Sequence, residues 1–339
     1  MKKRYLFPAI LALLIGVYFA GPQPAVPVYD TVLPDIPAGA AALETYVESR
    51  ENKHKIKPNN EARIVWADPA LRQKTPVAVV YLHGFSASQR EGFPAHVAFA
   101  RKFGCNLYLA RLSDHGIDTV PAMANLTVDR LWNSAKEAYA IGKKLGDEVI
   151  IMGTSTGSTL ALKLAAEYPE IKGLINFAPN IEINDPAAFL LDKPWGLQIS
   201  RLYFGSKTRT VPSDSVYRRY WYDTYRLEAT TELQRLLTTA AVPEVFARVT
   251  CPVWSGFWYR DEENQDPTVK VSAIKEMHSA LGTPAQLQAA VAFPDAETHV
   301  IACDLLSRSV DEVMRAAENF AVEVMEMKPA AEGLQAAEH

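Results

Sequence analysis

Two hydrophobic patterns alternate along the chain and predict its secondary structure. Continuous apolar runs rich in β-branched residues, such as residues 77–82 and 148–152, are typical of strands buried on both faces of a parallel sheet. Apolar residues at helical spacing, as in residues 127–145, predict amphipathic helices between those strands. The alternation predicts an α/β fold with a mostly parallel sheet flanked by helices.

The same patterns assign a strand or a helix to most of the chain. The predicted strands are residues 63–68, 77–82, 106–112, 148–152, 171–177, 251–259 and 286–293. The predicted helices are residues 38–50, 93–103, 127–145, 159–166, 227–237, 271–281 and 304–325. Between residues 181 and 248 the alternation stops, although a connection between strands needs only about 12 residues. We therefore predict an insertion over residues 181–248.

The N-terminus suggests export. Lys2, Lys3 and Arg4 precede the apolar residues 5–20, the order found in secretory signal peptides. We expect residues 1–20 to be a signal peptide or an uncleaved membrane anchor, and the protein to be exported, either periplasmic or anchored on the outer face of the membrane. Prolines in residues 21–40 predict an extended linker. One domain over residues 41–327 and a disordered tail over residues 328–339 complete the prediction.

Composition and charge limit the classes of function. The chain has 339 residues and 48% are hydrophobic, which suffices for one large domain with an insertion. The formal net charge of −4 argues against nucleic-acid binding. Cys105, Cys251 and Cys303 match no zinc pattern. We expect them to be small buried hydrophobes, although an exported chain leaves one disulfide open.

The sequence Gly153-Thr154-Ser155-Thr156-Gly157 lies between a predicted buried strand and a predicted helix. A G-x-S-x-G turn at that place holds the serine in a strained conformation with its hydroxyl exposed above the sheet. The flanking glycines avoid collisions that a Cβ would cause. The Thr156 amide opens the helix and can donate to an oxyanion beside Ser155. The alternative is an ordinary Gly/Ser turn.

This strand-turn-helix resembles the nucleophile elbow of the α/β-hydrolase superfamily, and the resemblance covers residues 76–320. The chain looks most like the branch of monoacylglycerol-lipase-like esterases, lysophospholipases and serine-aminopeptidase-like hydrolases. The resemblance implies an α/β-hydrolase fold in which residues 181–248 form an inserted helical cap. It also implies that Ser155 is the nucleophile and that no metal or organic cofactor is needed.

The resemblance also assigns the second oxyanion donor. In the family, an H-G-x stretch after the third strand supplies the amide of the residue that follows the glycine. Here His83-Gly84-Phe85 matches, so the Phe85 amide is expected to act together with that of Thr156. His83 is expected to be a structural hydrogen-bonding residue, and His115 a loop residue.

A base and an acid must complete the triad, in the chain order Ser, acid, His. His299 follows the last predicted strand, where the family places its base, whereas His278 lies inside a predicted helix. For the acid, Asp266-Pro267-Thr268-Val269 matches the family pattern Asp-x-x-Val. Asp261 lies closer to the end of the strand and remains an alternative.

The expected function is hydrolysis of a small-molecule carboxylic ester with an apolar acyl chain. Attachment to a membrane through residues 1–20 is expected if that segment stays uncut. Trp221 and Tyr222 are the candidates for substrate binding, although cap aromatics can equally form the core of the cap. An aminopeptidase or acyltransferase with the same triad is the alternative, because acidic cap residues could anchor an amine. A non-catalytic binding module is disfavoured by the intact triad. The acidic cap residues are Glu182, Asp185, Asp192, Asp214 and Asp223.

Overall fold

A seven-stranded sheet forms the centre of the computed structural model, which describes residues 6–330. Its strands are β1 (Arg63–Val65), β2 (Thr75–Leu82), β3 (Asn106–Leu109), β4 (Gly146–Thr154), β5 (Gly173–Phe177), β8 (Val253–Phe257) and β9 (Gln288–Ala292). Their order across the sheet is β1-β3-β2-β4-β5-β8-β9. All neighbours are parallel except β1, which runs antiparallel to β3. The prediction of a mostly parallel sheet is confirmed.

The helices flank the sheet and build the insertion. They are α1 (Leu6–Phe19), α2 (Ala40–Glu51), α3 (Ala95–Lys102), α4 (Val128–Leu145), α5 (Thr156–Glu167), α6 (Gly196–Phe204), α7 (Ser215–Tyr220), α8 (Leu227–Ala240), α9 (Pro243–Phe246), α10 (Val271–Ala280) and α11 (Val310–Glu323). A separate two-stranded ribbon pairs β6 (Thr208–Thr210) with β7 (Thr224–Arg226).

Two hydrophobic layers hold the sheet between helices. On one face, α4, α5 and α10 pack in a single buried cluster that includes Trp132 and Tyr139 of α4. On the other face, α3 and α11 contribute Phe99 and Phe320 to a second cluster. Burial of each large apolar side chain contributes roughly 1.5–3 kcal/mol. The two layers therefore fix the sheet, and with it the carboxyl ends of the strands where the candidate site lies.

Several predicted boundaries were wrong; strand β1, for example, ends at Val65 and not at residue 68. Strand β3 ends at Leu109 and not at residue 112, because the Leu112 amide donates to the His83 ring (3.0 Å) and no longer to a neighbouring strand. The last helix starts at Val310 and not at residue 304. The residues before it form turns, in which the amides of Leu306 and Ser307 both donate to the carbonyl of Cys303.

The inserted helical cap follows β5, as predicted, and its two parts differ. Helices α8 and α9 pack on α5 and belong to the helical layer of the core. The segment before them contains α6, the ribbon and α7, and contacts the residues that follow β2 through Trp221 and Tyr222. Its aromatic residues are divided: Trp221 and Tyr222 are buried, whereas Tyr203 is 81% exposed and its neighbour Leu202 is 85% exposed.

The proline-rich residues 21–39 contain neither helix nor strand and lie against the domain. We call this segment the strap. The Trp132 indole donates to the Asp30 carbonyl (2.8 Å), and the Tyr168 hydroxyl donates to the Thr31 carbonyl (3.0 Å). Ile36 is only 2% exposed. The strap is therefore part of the folded domain.

The predictions for the two termini reach beyond the described residues. Residues 1–5 of the expected signal peptide or anchor, and residues 331–339 of the expected tail, lie outside residues 6–330. Within the described part, no helix has the length and apolar character needed to cross a membrane. The three cysteines are free and buried, which confirms that they serve as interior hydrophobes.

Candidate active site

Ser155 occupies the turn between β4 and α5 in a conformation that few residues adopt. Its φ is 52° and its ψ is −115°, a strained combination for a residue with a side chain. A Cβ on Gly157 would lie 2.0 Å from the Leu82 carbonyl oxygen, and one on Gly153 would lie 2.7 Å from the Gly157 carbonyl carbon. Only glycine fits at both positions, so the sequence G-x-S-x-G follows from the tightness of the turn.

Asp266 and His299 come together from the loops after β8 and β9. The His299 Nδ1 donates to Asp266 Oδ2 at 2.7 Å. The other carboxylate oxygen accepts the amides of Thr268 (2.8 Å) and Val269 (3.1 Å), and Asp266 is completely buried. Burial by itself would lower the pKa of His299, but the Asp266 carboxylate outweighs this effect and raises it. The arrangement leaves Nε2 free to exchange a proton.

The alternative acid and base lie elsewhere. Asp261 is exposed and closes its own turn by accepting the Asn264 amide (2.8 Å) and side chain. His278 lies in α10 and hydrogen-bonds Gln288 Oε1 at 2.9 Å. Neither residue contacts His299, so the structure brings Asp266 and not Asp261 to the candidate base.

The loop after β2 reaches Ser155 through Gly84. A Cβ on Gly84 would lie 3.1 Å from Ser155 Cβ, so this loop and the elbow are in contact. Among residues 6–330, neither the Phe85 amide nor the Thr156 amide has a hydrogen-bond acceptor. The two amides predicted to bind an oxyanion are therefore unoccupied donors.

Two buried histidines hold this loop. His83 Nδ1 donates to the Gly84 carbonyl (2.9 Å), and its Nε2 accepts the Leu112 amide (3.0 Å). His115 Nε2 accepts the Ser86 amide at 3.1 Å. Each ring uses one nitrogen as an acceptor and must stay neutral. Burial accordingly lowers the pKa of His83 far below its usual value and that of His115 to about 4. His83 lies in this loop and His115 in the loop after β3, and both support the loop after β2 structurally, as predicted for His83.

The geometry agrees with a comparison to known families. The sequence model of the Alpha/beta hydrolase family matches residues 79–316. The chain belongs to this family. A thermostable monoacylglycerol lipase from Bacillus sp. (strain H-257) is 31% identical over 122 residues, which are 36% of this chain and 48% of the lipase. The aligned stretch thus spans about half of that relative.

Solved structures show the same fold. One reported for the metagenome-derived lipolytic enzymes LipS and LipT has a TM-score of 0.62 and 17% identity, and covers 78% of this chain and 98% of that one. A soluble variant of monoglyceride lipase from Saccharomyces cerevisiae has a TM-score of 0.56 and 12% identity, with 88% and 97% covered. At these identities the likeness shows the α/β-hydrolase fold alone, which confirms the predicted fold.

The cap places its predicted substrate residues differently in this α/β hydrolase. Trp221 is 3% exposed, stacks on Tyr217 with ring centroids 5.1 Å apart, and packs with Val300 and Cys303 beside His299. Tyr222 donates from its hydroxyl to the Ile117 carbonyl at 2.6 Å. Trp221 therefore borders the site, whereas Tyr222 joins the cap to a neighbouring loop.

One residue of the site was missed in the sequence. Glu91 lies in the 3₁₀ turn Gln89–Gly92 and is 3% exposed. Its Oε2 accepts the Gly84 amide at 2.5 Å, and its Oε1 accepts the Trp221 indole at 3.3 Å. Burial raises its pKa to about 7. Charged residues are common in loops, so the sequence contained no signal that this carboxylate turns inward.

The site is nearly closed to solvent. Ser155 is 4% exposed and the His299 side chain 13% exposed. Within residues 6–330, no cluster of three His, Cys, Asp or Glu side chains is placed to hold a metal ion.

Proposed function

We propose that this protein is a serine hydrolase that cleaves carboxylic esters through Ser155, His299 and Asp266. One observation carries the proposal: His299 of the buried Asp266–His299 pair (2.7 Å) interacts electrostatically with Glu91, whose carboxylate flanks Gly84 together with the strained Ser155 of the strand-to-helix elbow. A serine hydroxyl needs a base, and the base needs a carboxylate that fixes its tautomer. These residues provide that set.

The reaction proceeds in two halves. Ser155 Oγ attacks the ester carbonyl carbon while its proton moves to His299 Nε2, and Asp266 stabilises the imidazolium through Nδ1. The bond to the alcohol oxygen then breaks, and His299 returns the proton to the leaving alcohol. Water attacks the acyl-enzyme with His299 again as the base, which releases the carboxylic acid and restores Ser155.

The Phe85 and Thr156 amides stabilise the negative charge that develops on the carbonyl oxygen. Both are unoccupied donors, and the loop that carries Phe85 touches Ser155 through Gly84. An oxyanion donor of this kind lowers the barrier by about 3 kcal/mol. The hydrogen bonds of His83 and His115 keep one of these donors in place before the substrate arrives.

The cap favours esters over aminoacyl substrates. An aminopeptidase needs a carboxylate that is free to bind an amine, and the acidic cap residues already have partners. Glu182 pairs with Lys270, Asp192 with Arg235, and Asp223 with Arg218. Asp214 caps α7, and Asp185 accepts the Ala187 amide. The relative that is 31% identical is named a monoacylglycerol lipase, which supports a lipid-derived ester with an apolar acyl chain.

We also propose that the exported protein is held at a membrane surface by α1 and the cap together. The Trp195 indole donates to the Val17 carbonyl (3.0 Å), and its amide donates to the Pro22 carbonyl (2.9 Å), so the end of α1 touches the cap. Apolar side chains are exposed on both sides of this contact: Leu13, Leu14 and Phe19 in α1, and Phe189, Ile199, Leu202, Tyr203 and Phe204 in the cap.

A substrate panel tests the ester proposal. Nitrophenyl esters from acetyl to octanoyl are compared with aminoacyl anilides, using the wild type, Ser155→Ala and the control Ser279→Ala, an exposed serine on α10. We expect kcat/KM to rise with chain length, and only Ser155→Ala to lose activity and fluorophosphonate labelling. Labelling that persists in Ser155→Ala, or a preference for anilides over every ester, contradicts the proposal.

A further inference from the structure

Glu91 is a buried carboxylate beside Ser155 that the mechanism above does not use. A Cβ on Gly84 would lie 2.9 Å from Glu91 Oε2 and 3.1 Å from Ser155 Cβ. The carboxylate and the candidate nucleophile therefore flank the same face of Gly84. No Lys or Arg side chain within residues 6–330 forms an ion pair with Glu91. Burial of a carboxylate without a cation costs several kcal/mol, so such a group tends to have a function.

Both carboxylate oxygens are already occupied by donors of the protein. One accepts the Gly84 amide of the loop after β2 (residues 83–88), which we call the oxyanion loop. The other accepts the Trp221 indole of the cap. With a donor of the protein on each oxygen and only 3% of the residue exposed, Glu91 is poorly accessible to an amine of a substrate. The geometry therefore favours a role within the protein over a role as a substrate anchor.

The hydrogen bond to Gly84 bears directly on an oxyanion donor. The peptide unit that follows Gly84 contains the Gly84 carbonyl and the Phe85 amide. His83 Nδ1 (2.9 Å) and the Ala87 amide (3.4 Å) both donate to that carbonyl. Glu91 holds the amide on the other side of the same residue. Gly84 has no side chain to limit its rotation, so these contacts determine where the Phe85 N–H points.

We propose that Glu91 is a positioning residue: its carboxylate fixes the oxyanion loop through the Gly84 amide and joins that loop to the cap through the Trp221 indole. This proposal rests on the proposed ester hydrolysis. It predicts that loss of Glu91 impairs the transition state, in which the oxyanion exists, more than substrate binding.

The charge of Glu91 also acts on the candidate base. Burial lowers the pKa of His299, Asp266 raises it more strongly, and Glu91 adds to this rise. Several other groups face Glu91: Tyr81 from β2, Tyr217 and Trp221 from the cap, and Cys303 from the loop after His299. The adjacent Arg90 is paired with Asp304 at 2.6 Å. Burial raises the pKa of Glu91 itself to about 7, so this charge is fully present only above neutral pH. Its removal should therefore move the acidic limb of the pH profile to lower pH by a small amount.

Two Glu91 variants separate geometry from charge. Glu91→Gln removes the charge and places an amide donor opposite one of the two N–H groups, whereas Glu91→Asp keeps the charge on a shorter side chain. Glu244→Gln, an exposed change on α9, is the control for loss of one negative charge. The measurements are kcat and KM for a short nitrophenyl ester from pH 5 to 9, the rate of fluorophosphonate labelling, and the melting temperature.

We expect Glu91→Gln to lower kcat about tenfold, less than the 10²–10³-fold loss on removal of a whole oxyanion donor. Its KM should stay within about twofold and its acidic limb should move to lower pH. Glu91→Asp should lower kcat and leave the acidic limb of the pH profile unchanged. Glu244→Gln should match the wild type in both kcat and the acidic limb.

Three results would overturn the proposal. The first is a Glu91→Gln enzyme with wild-type kcat and an unchanged limb. The second is that kcat falls equally in both Glu91 variants, in proportion to their loss of folded protein, while the acidic limb of the pH profile stays at its wild-type position. The third is a defect confined to the KM of substrates that carry a free amine, which would make Glu91 an anchor. A wild type that neither cleaves esters nor reacts at Ser155 would remove the proposed function as well.

Discussion

The loops that carry the candidate chemistry and the cap that covers them are held in different ways. The candidate catalytic loops rest on buried polar contacts, such as those of the fully buried Asp266, and lie on a sheet packed between two hydrophobic layers. The first segment of the cap, which contains α6, the two-stranded ribbon and α7, exposes Leu202 and Tyr203. The proposed reaction geometry thus lies in the part that is packed between hydrophobic layers, and the cover over it lies in the part with fewer buried contacts.

The largest expected effect lies in the catalytic loops. Asp266→Asn removes the carboxylate that fixes the His299 tautomer and should lower kcat by about 10⁴-fold. Asp261→Asn, in the same loop but exposed and without contact to His299, should stay within about twofold. Steady-state kinetics of the two variants decides between them. The reverse ranking would assign the acid to Asp261.

The buried histidines that support the oxyanion loop predict a loss of stability in acid. The pKa of His115 is about 4 in the folded protein, so the unfolded chain binds the extra proton as the pH falls below about 6.5. The free energy of unfolding should therefore decrease by about 1.4 kcal/mol per pH unit between pH 6.5 and pH 4 for this group, and His83 adds in the same direction.

Urea unfolding at pH 7 and pH 5 measures this effect. The control is His115→Gln, which keeps an acceptor near the Ser86 amide without a titrating ring. Its free energy of unfolding should depend less steeply on pH. An equally steep dependence in the variant would show that the acid sensitivity arises elsewhere.

The cap should affect how kcat/KM depends on the acyl chain length of the ester. Trp221 borders the site, whereas the Tyr222 hydroxyl is bound to a neighbouring loop. Each buried methylene contributes about 0.8 kcal/mol at most, so Trp221→Ala should reduce the octanoyl-to-acetyl ratio of kcat/KM by about tenfold. Tyr222→Phe should leave that ratio unchanged. An octanoyl-to-acetyl ratio that falls only in the Tyr222 variant would contradict the assignment of Trp221 as the cap residue beside the acyl chain.

The smallest expected effect concerns the exposed cap surface. The double variant Leu202→Ser, Tyr203→Ser should bind phospholipid vesicles a few-fold more weakly than the wild type, because it loses apolar area that can enter a lipid surface. Turnover of a soluble acetyl ester should not change. Sedimentation with vesicles measures the first and the nitrophenyl assay the second. Unchanged vesicle binding would remove the cap from the proposed membrane contact.

The sequence predicted the parts of the site that depend on local spacing. The glycines around Ser155 are required by a turn of five residues, and Asp266 and His299 each follow a strand whose apolar run is easy to recognise. The carboxyl ends of parallel strands lie on one edge of the sheet, so these residues could be expected to meet.

The parts that it did not predict depend on contacts between distant segments. Glu91 meets Trp221 across 130 positions, and nothing in the local sequence of either residue signals the pair. The division of the cap aromatics into buried Trp221 and exposed Tyr203 likewise depends on how α6 and α7 pack. Prolines predicted an extended linker over residues 21–40 but gave no sign of the contacts that hold this segment against the domain, because an extended chain can bury side chains without a periodic pattern.

The strap has a consequence for proteolytic maturation and for protein production. Lys136, with only 4% of its side chain exposed, has Asp30 as its carboxylate partner at 2.5 Å, and Arg235 donates to the Pro24 carbonyl at 2.8 Å. A cut near Gly21 preserves both contacts and releases α1. A cut near Ala40 leaves an ammonium group buried without its counter-charge and uncovers Trp132. A stable soluble enzyme should therefore begin at the strap and not at the first helix of the domain.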